Sequence, residues 1–217
     1  MCWGDNREGQ LGDGTREDRD LPTPVLTDIV DWSLVSTGGM RTCATRTADR
    51  SIWCWGQPPY PDPWPETDLI PTHNVPDTPV EQVSTGSRHG CMVAYGWRMI
   101  LCWGLNEHGQ LGHDPLGAPG AMGVSSRPDP REVHAGIDYS CARVAAGMVH
   151  CWGSRTFLGD GTDQDSYRPV AVAGLTPVLG DVDRGLCPRS RCDRLDAWDG
   201  HIRWSCARVS SPHTSLV

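Results

Sequence analysis

Along the whole chain the apolar residues come in short runs with a two-residue alternation, as in Arg98-Met99-Ile100-Leu101-Cys102-Trp103 and Gly147-Met148-Val149-His150-Cys151-Trp152. Runs of this kind predict short strands with one buried face. No stretch has the convincing 3.6-residue periodicity of an amphipathic helix. Glycine, proline and aspartate stand between the runs and predict frequent tight turns. The longest apolar runs are a few residues, far below the roughly 18–20 that a membrane-spanning helix needs. The pattern predicts an all-β chain without a membrane span.

These strands recur at a fixed period. Cys-Trp-Gly occurs at Cys2-Trp3-Gly4, Cys54-Trp55-Gly56, Cys102-Trp103-Gly104 and Cys151-Trp152-Gly153, at spacings of 52, 48 and 49 residues. Val-x-x-Gly recurs at Val35/Gly38, Val83/Gly86, Val133/Gly136 and Val182/Gly185, followed in the first three copies by Cys43, Cys91 and Cys141 at the same distance. In the fourth copy the matching residue is Cys206, in Trp204-Ser205-Cys206-Ala207, so about 16 residues are inserted after Gly185. A glycine loop follows Cys-Trp-Gly in Asp5–Thr15 and Leu105–Gly112 and survives in part as Phe157–Thr162, while Gln57–Pro65 replaces it with a proline-rich loop. Pro24-Val25, Pro79-Val80 and Pro169-Val170 mark the return. A period near 50 with several short strands per unit is that of a β-propeller blade.

The combined pattern, Cys-Trp-Gly-x-Asn-x-x-Gly-Gln-Leu-Gly-x-Gly-Thr, then Pro-Val, then Val-x-x-Gly-x-x-x-x-Cys-Ala, resembles the regulator-of-chromosome-condensation repeat in its cysteine-containing bacterial form. The resemblance implies a propeller of about four blades, each of four short antiparallel strands, in a single repeat domain. Its parts are a partial blade over 1–31, repeats over 32–56, 57–104 and 105–153, and a divergent repeat with an insertion over 154–217. Propellers of that family commonly have more blades, so the chain reads as a fragment of a larger propeller, with a small closed ring as the alternative. The resemblance also implies an interaction module. Within the family it raises guanine-nucleotide exchange and other regulatory activity as alternatives.

The cysteines pair by position. Cys43 with Cys54, Cys91 with Cys102 and Cys141 with Cys151 are separated by 11, 11 and 10 residues. Across a hairpin these separations bring Cα atoms within the reach of a disulfide. Cys187 and Cys192 are placed to pin the insertion, and Cys2 and Cys206 are left as complementary ends that either pair or stay free. Paired cysteines point to an oxidising compartment, namely the periplasm, the cell surface or the cell exterior. Spacings of this length do not supply a zinc site, and no metal or cofactor is expected.

Composition narrows the chemistry. All 19 cationic residues are arginine, which excludes every lysine-dependent mechanism, and the net charge of −8 with no basic stripe argues against nucleic-acid binding. Gly and Pro, 25 and 18 of 217 residues, fit the turns. His89 and Tyr139 share one repeat position and His150 another, which marks them as structural. No catalytic motif stands out, and Asp13-Gly14-Thr15 and Asp160-Gly161-Thr162 lack the alternating carboxylates of a calcium loop. The chain is therefore expected to be no enzyme; a carboxylate-dependent hydrolase at the propeller centre and a non-functional gene fragment are the alternatives. Trp3, Trp55, Trp103 and Trp152 repeat and belong to packing, whereas non-repeating aromatics and arginines point to a protein partner. The candidates are Tyr60 and Trp64 in the proline loop, and Arg189, Arg191, Arg194 and Trp198 in the insertion.

Overall fold

The computed structural model describes residues 1–57, 68–73, 78–116, 122–124, 129–174, 194–198 and 201–205. Apart from two single-turn 3-10 segments, every regular element among them is a strand. Three four-stranded antiparallel sheets follow one another. The first contains β3 (Trp32–Gly38), β4 (Arg41–Arg46), β5 (Ile52–Gly56) and β6 (Asp68–Thr72), after a two-stranded sheet of β1 (Cys2–Gly4) and β2 (Arg19–Thr23). The second contains β7 (Val80–Thr85), β8 (His89–Ala94), β9 (Met99–Gly104) and β10 (Met122–Val124). The third contains β11 (Pro130–Ala135), β12 (Tyr139–Val144), β13 (Val149–Gly153) and β14 (Ser166–Ala171). Strand order within each sheet is chain order, so each is a meander. A separate compact unit from Val178 onward contains the two-stranded sheet of β15 (Arg194–Trp198) and β16 (His201–Ser205).

The landmarks of the sequence acquire positions in these sheets. Cys-Trp-Gly ends the third strand, Val-x-x-Gly lies at the end of the first, and the cysteine after it sits in the second. Cys43 faces Cys54, Cys91 faces Cys102 and Cys141 faces Cys151 in register. All three pairs are joined as disulfides, with Cα atoms 4.1, 4.1 and 4.0 Å apart. Each glycine of Cys-Trp-Gly has φ between 91° and 111°, a backbone that only glycine adopts without strain, and there the chain leaves the strand for the loop.

The core lies between successive sheets. Cys43, Ile52 and Cys54 of the first sheet pack against Val80, Val83, Met92 and Trp103 of the second. Cys91, Val93, Ile100 and Cys102 of the second pack against Val133, Ala142 and Trp152 of the third. Alternation along the strands thus turns one side-chain set of each sheet onto its successor; all three disulfides are at zero or near-zero exposure, and Cys43–Cys54 and Cys91–Cys102 belong to these seams. The first strands also bridge side by side. The Ser36 hydroxyl accepts from Thr85 N at 3.0 Å, Gln82 both donates to Val133 O and accepts from Val133 N, and Ser84 Oγ accepts from Ala135 N at 3.0 Å.

Candidate functional site

The glycine loops turn most of their polar side chains onto their own backbone. Asn6 Oδ1 accepts from Leu11 N at 2.9 Å while its amide nitrogen donates to Asp13 and to Thr15 O, and Asn106 Oδ1 likewise accepts from Leu111 N at 2.9 Å. Gln10 and Gln110 each take a backbone N–H two residues upstream, from Glu8 and His108. The loops lie over the tryptophan of the following sheet. Trp152 donates its indole N–H to Gln110 O at 2.9 Å, and Gly12 has Trp55 so close that a methyl group there would overlap the indole. The loop motif is a cap on the seam between blades, and the polar atoms it leaves without a partner, Gln110 Nε2 and His113 Nε2, are buried.

The aspartates of these loops are turn residues. Asp13 accepts from Thr15 N, from the Thr15 hydroxyl and from Arg19 at 2.7 Å; burial opposes its charge, but these bonds prevail and hold the carboxyl at about 2. Asp160 accepts from the backbone and hydroxyl of Thr162 in the same way. The histidines of the repeat are structural in the same sense. His89, 4% exposed, lies 2.9 Å from Ser140 Oγ, which donates to Gln110 O at 2.8 Å. Burial pushes the His89 pKa down to about 4, against a smaller upward pull from the Tyr139 backbone. Histidine and serine at this distance resemble a nucleophile and its base, but Ser140 is fully buried and its proton is committed to a carbonyl. Between β3, β7 and β11 the bridging side chains are hydroxyls and an amide, and Glu132 is paired with Arg143 at 2.7 Å. Among the described residues no three His, Cys, Asp or Glu are grouped to hold a metal ion, and no helix is long and apolar enough to cross a membrane.

Several residues singled out by the sequence fall elsewhere. Tyr60, Trp64, Cys187, Arg189, Arg191, Cys192 and Cys206 lie outside the described residues. Arg194 and Trp198 occupy the two ends of β15, opposite Ser205 and His201. Cys2 is half-buried and makes no disulfide among the described residues. Sequence reasoning passed over the turn between β8 and β9, Tyr95-Gly96-Trp97-Arg98, where Tyr95 is 47% and Trp97 66% exposed. A comparison of the three hairpin turns finds it, because Thr47–Arg50 and Ala145–Gly147 hold no aromatic residue.

Comparison with known proteins bears on the scaffold. Residues 2–45 match the regulator of chromosome condensation (RCC1) repeat. The chain is 28% identical over 188 residues to the ultraviolet-B receptor UVR8 of Arabidopsis thaliana, across 79% of this chain and 41% of the receptor. Human WBSCR16 superposes with a TM-score of 0.67 at 21% identity, over 78% of this chain and 46% of that one. Prp20p of Saccharomyces cerevisiae, which binds Gsp1p and histones, does so with a TM-score of 0.65 at 17% identity, over 78% and 45%. The chain thus spans less than half the length of each of these proteins.

Proposed function

The chain belongs to the RCC1-repeat family, and on that premise we propose that it is a non-catalytic, disulfide-stapled propeller module that presents unlike loops to a protein partner. The observation that carries this reading is the division of labour in the repeats. The repeated loop residues Asn6, Gln10, Asn106 and Gln110 are spent on the scaffold, so what differs between repeats is left for recognition. Prp20p, of like fold, binds proteins. Tyr60 and Trp64 of the proline loop and Arg189, Arg191, Arg194 and Trp198 of the insertion are the proposed contacts. Proline holds a loop extended at low entropic cost, and Trp and Arg are favoured at binding hot spots. The three buried disulfides favour an extracellular, periplasmic or cell-surface location.

The test is affinity capture with the full chain, produced under oxidising conditions, from an extract of its source. A protein retained by the wild type and lost with Tyr60→Ser/Trp64→Ser or with Arg189→Ser/Arg191→Ser supports the reading. Retention unchanged by both pairs, or no retained protein at all, overturns it.

A further inference from the structure

Three non-glycine residues among those described have a left-handed backbone, Arg50 (φ 60°), Arg98 (φ 50°) and Asp129 (φ 37°), and all three meet around one hairpin tip. Arg50 and Arg98 hold the same place in their hairpins, four residues before Cys54 and Cys102, and the third hairpin fills that place with Gly147 at φ 76°. The turn needs this backbone, glycine supplies it without strain, and two blades use arginine instead. Such strain persists where the side chain has a task.

The task is visible in the contacts. The Arg50 guanidinium lies 3.9 Å from the centre of the Tyr95 ring in the next blade's hairpin, and the Arg50 carbonyl accepts from Val80 N at 2.9 Å. Arg98 donates to Asp129 of the blade after that at 2.6 Å, and Arg131 donates to the same carboxylate oxygen at 3.1 Å. Tyr95 N is itself anchored on Pro79 O at 2.7 Å. The tip is therefore braced from both neighbouring blades, and the braced turn carries Trp97 out into solvent at 66% exposure. Among the described residues Arg50, Arg98 and Arg131 stand around it, the last two sharing the carboxylate of Asp129. An exposed tryptophan on a tip held by three arginines stands out on a chain whose overall charge is −8.

From this arrangement we propose that the β8–β9 tip is a docking surface for an acidic peptide segment carrying large apolar side chains, with Trp97 as anchor and Arg98 and Arg131 as its charge partners. A ring held on a braced turn gives contact area at little entropic cost, and Trp and Arg dominate binding hot spots. Charge complementarity selects the acidic partner. The proposal rests on the interaction reading above and adds a second surface to it, remote in sequence from the proline loop and the insertion.

The experiment uses the full oxidised chain and fluorescein-labelled ten-residue peptides in which Asp and Glu alternate with Leu and Phe. Control peptides replace the acids with Lys or the apolar residues with Ser, and fluorescence anisotropy reads binding. Binding of the acidic apolar peptide, weakened about tenfold or more by Trp97→Ser, is expected. It should also weaken with added salt and with Arg98→Gly, a variant whose turn is the one Gly147 already forms. The Tyr60→Ser/Trp64→Ser variant should bind the peptide like the wild type, so that failure here and failure of the loop reading are separate results. Equal binding of the Lys peptide, no binding of the acidic one, or unchanged binding by Trp97→Ser overturns the proposal. So does an Arg98→Gly variant that loses thermal stability while its peptide binding stays intact, since the clasp would then be structural alone.

Discussion

At the scale of single residues, His89 shows how a repeat position acquires a pH dependence without catalysis. The Ser140 hydroxyl has one proton, which it gives to Gln110 O, so it accepts from His89 Nε2–H and leaves Nδ1 as a buried lone pair without a partner. Protonation would place a charge there, and burial lowers the pKa from 6.5 to about 4. The unfolded chain therefore binds more protons than the folded one between these two values. The stabilising contribution is full above about pH 6.5 and is lost as the pH falls toward 4, amounting to about 3 kcal/mol at the acid end. Denaturant unfolding at a series of pH values should show this slope, and His89→Gln, which keeps a neutral donor to Ser140, should flatten it. The glycine of Val-x-x-Gly makes a second residue-scale prediction. A methyl group on Gly86 would overlap the carbonyl oxygen of Gly136, which accepts from Ser87 N at 3.0 Å. Neither backbone can withdraw without breaking that bond between blades, so Gly86→Ala should cost about 2 kcal/mol or more in chemical denaturation.

At the scale of strands and sheets, the meander and its disulfides were legible in the sequence because both follow from local spacing. Two-residue alternation identifies β9 and β13, and the separation of 11 residues brings Cys91 opposite Cys102 across the turn. What alternation does not reveal is which face has a neighbour. Val35, Val83 and Val133 hold one position of the repeat, yet they are 68%, 7% and 0% exposed. Trp3 is 61% exposed while Trp55, Trp103 and Trp152 are 2%, 3% and 0%. Each of these side chains is buried by what another repeat lays over it, as the loop around Gln110 does for Trp152. Exposure is thus a property of the stack and not of the motif. The Trp97 tip escaped sequence reading for a related reason: its braces, Arg50 and Asp129, lie 47 and 32 residues away. A direct check is Val133→Ala against Val35→Ala. The first should destabilise by about 1–3 kcal/mol and the second by less than about 0.5, although the sequence motif is identical.

At the scale of the whole molecule, a repeat protein is held by its seams, and here the Cys43–Cys54 and Cys91–Cys102 disulfides are each part of one. Cys91 and Cys102 lie in the same core as Val133, Ala142 and Trp152 of the next sheet, so the bond staples a hairpin and also fixes the surface on which the neighbouring blade rests. Closing loops of 10 or 11 residues contributes about 2–3 kcal/mol per bond on the chain-entropy account. In a chain of this size that is about 5–10 °C of thermal midpoint for each bond. Stability coupled through seams also means that the losses should not add. Cys91→Ala/Cys102→Ala should loosen the first and third sheets as well, read as reduced amide-exchange protection in β4 and β12, whereas Cys141→Ala/Cys151→Ala should leave β4 protected. Peptide mapping without reductant gives the covalent half of the same test. Links 43–54, 91–102 and 141–151 are expected, and the map also reads whether Cys2 and Cys206, which hold complementary repeat positions, are joined. Free thiols at the three internal pairs would remove both the staple and the argument for an oxidising compartment, because buried cysteines that stay reduced would then serve only as small apolar residues in the seams.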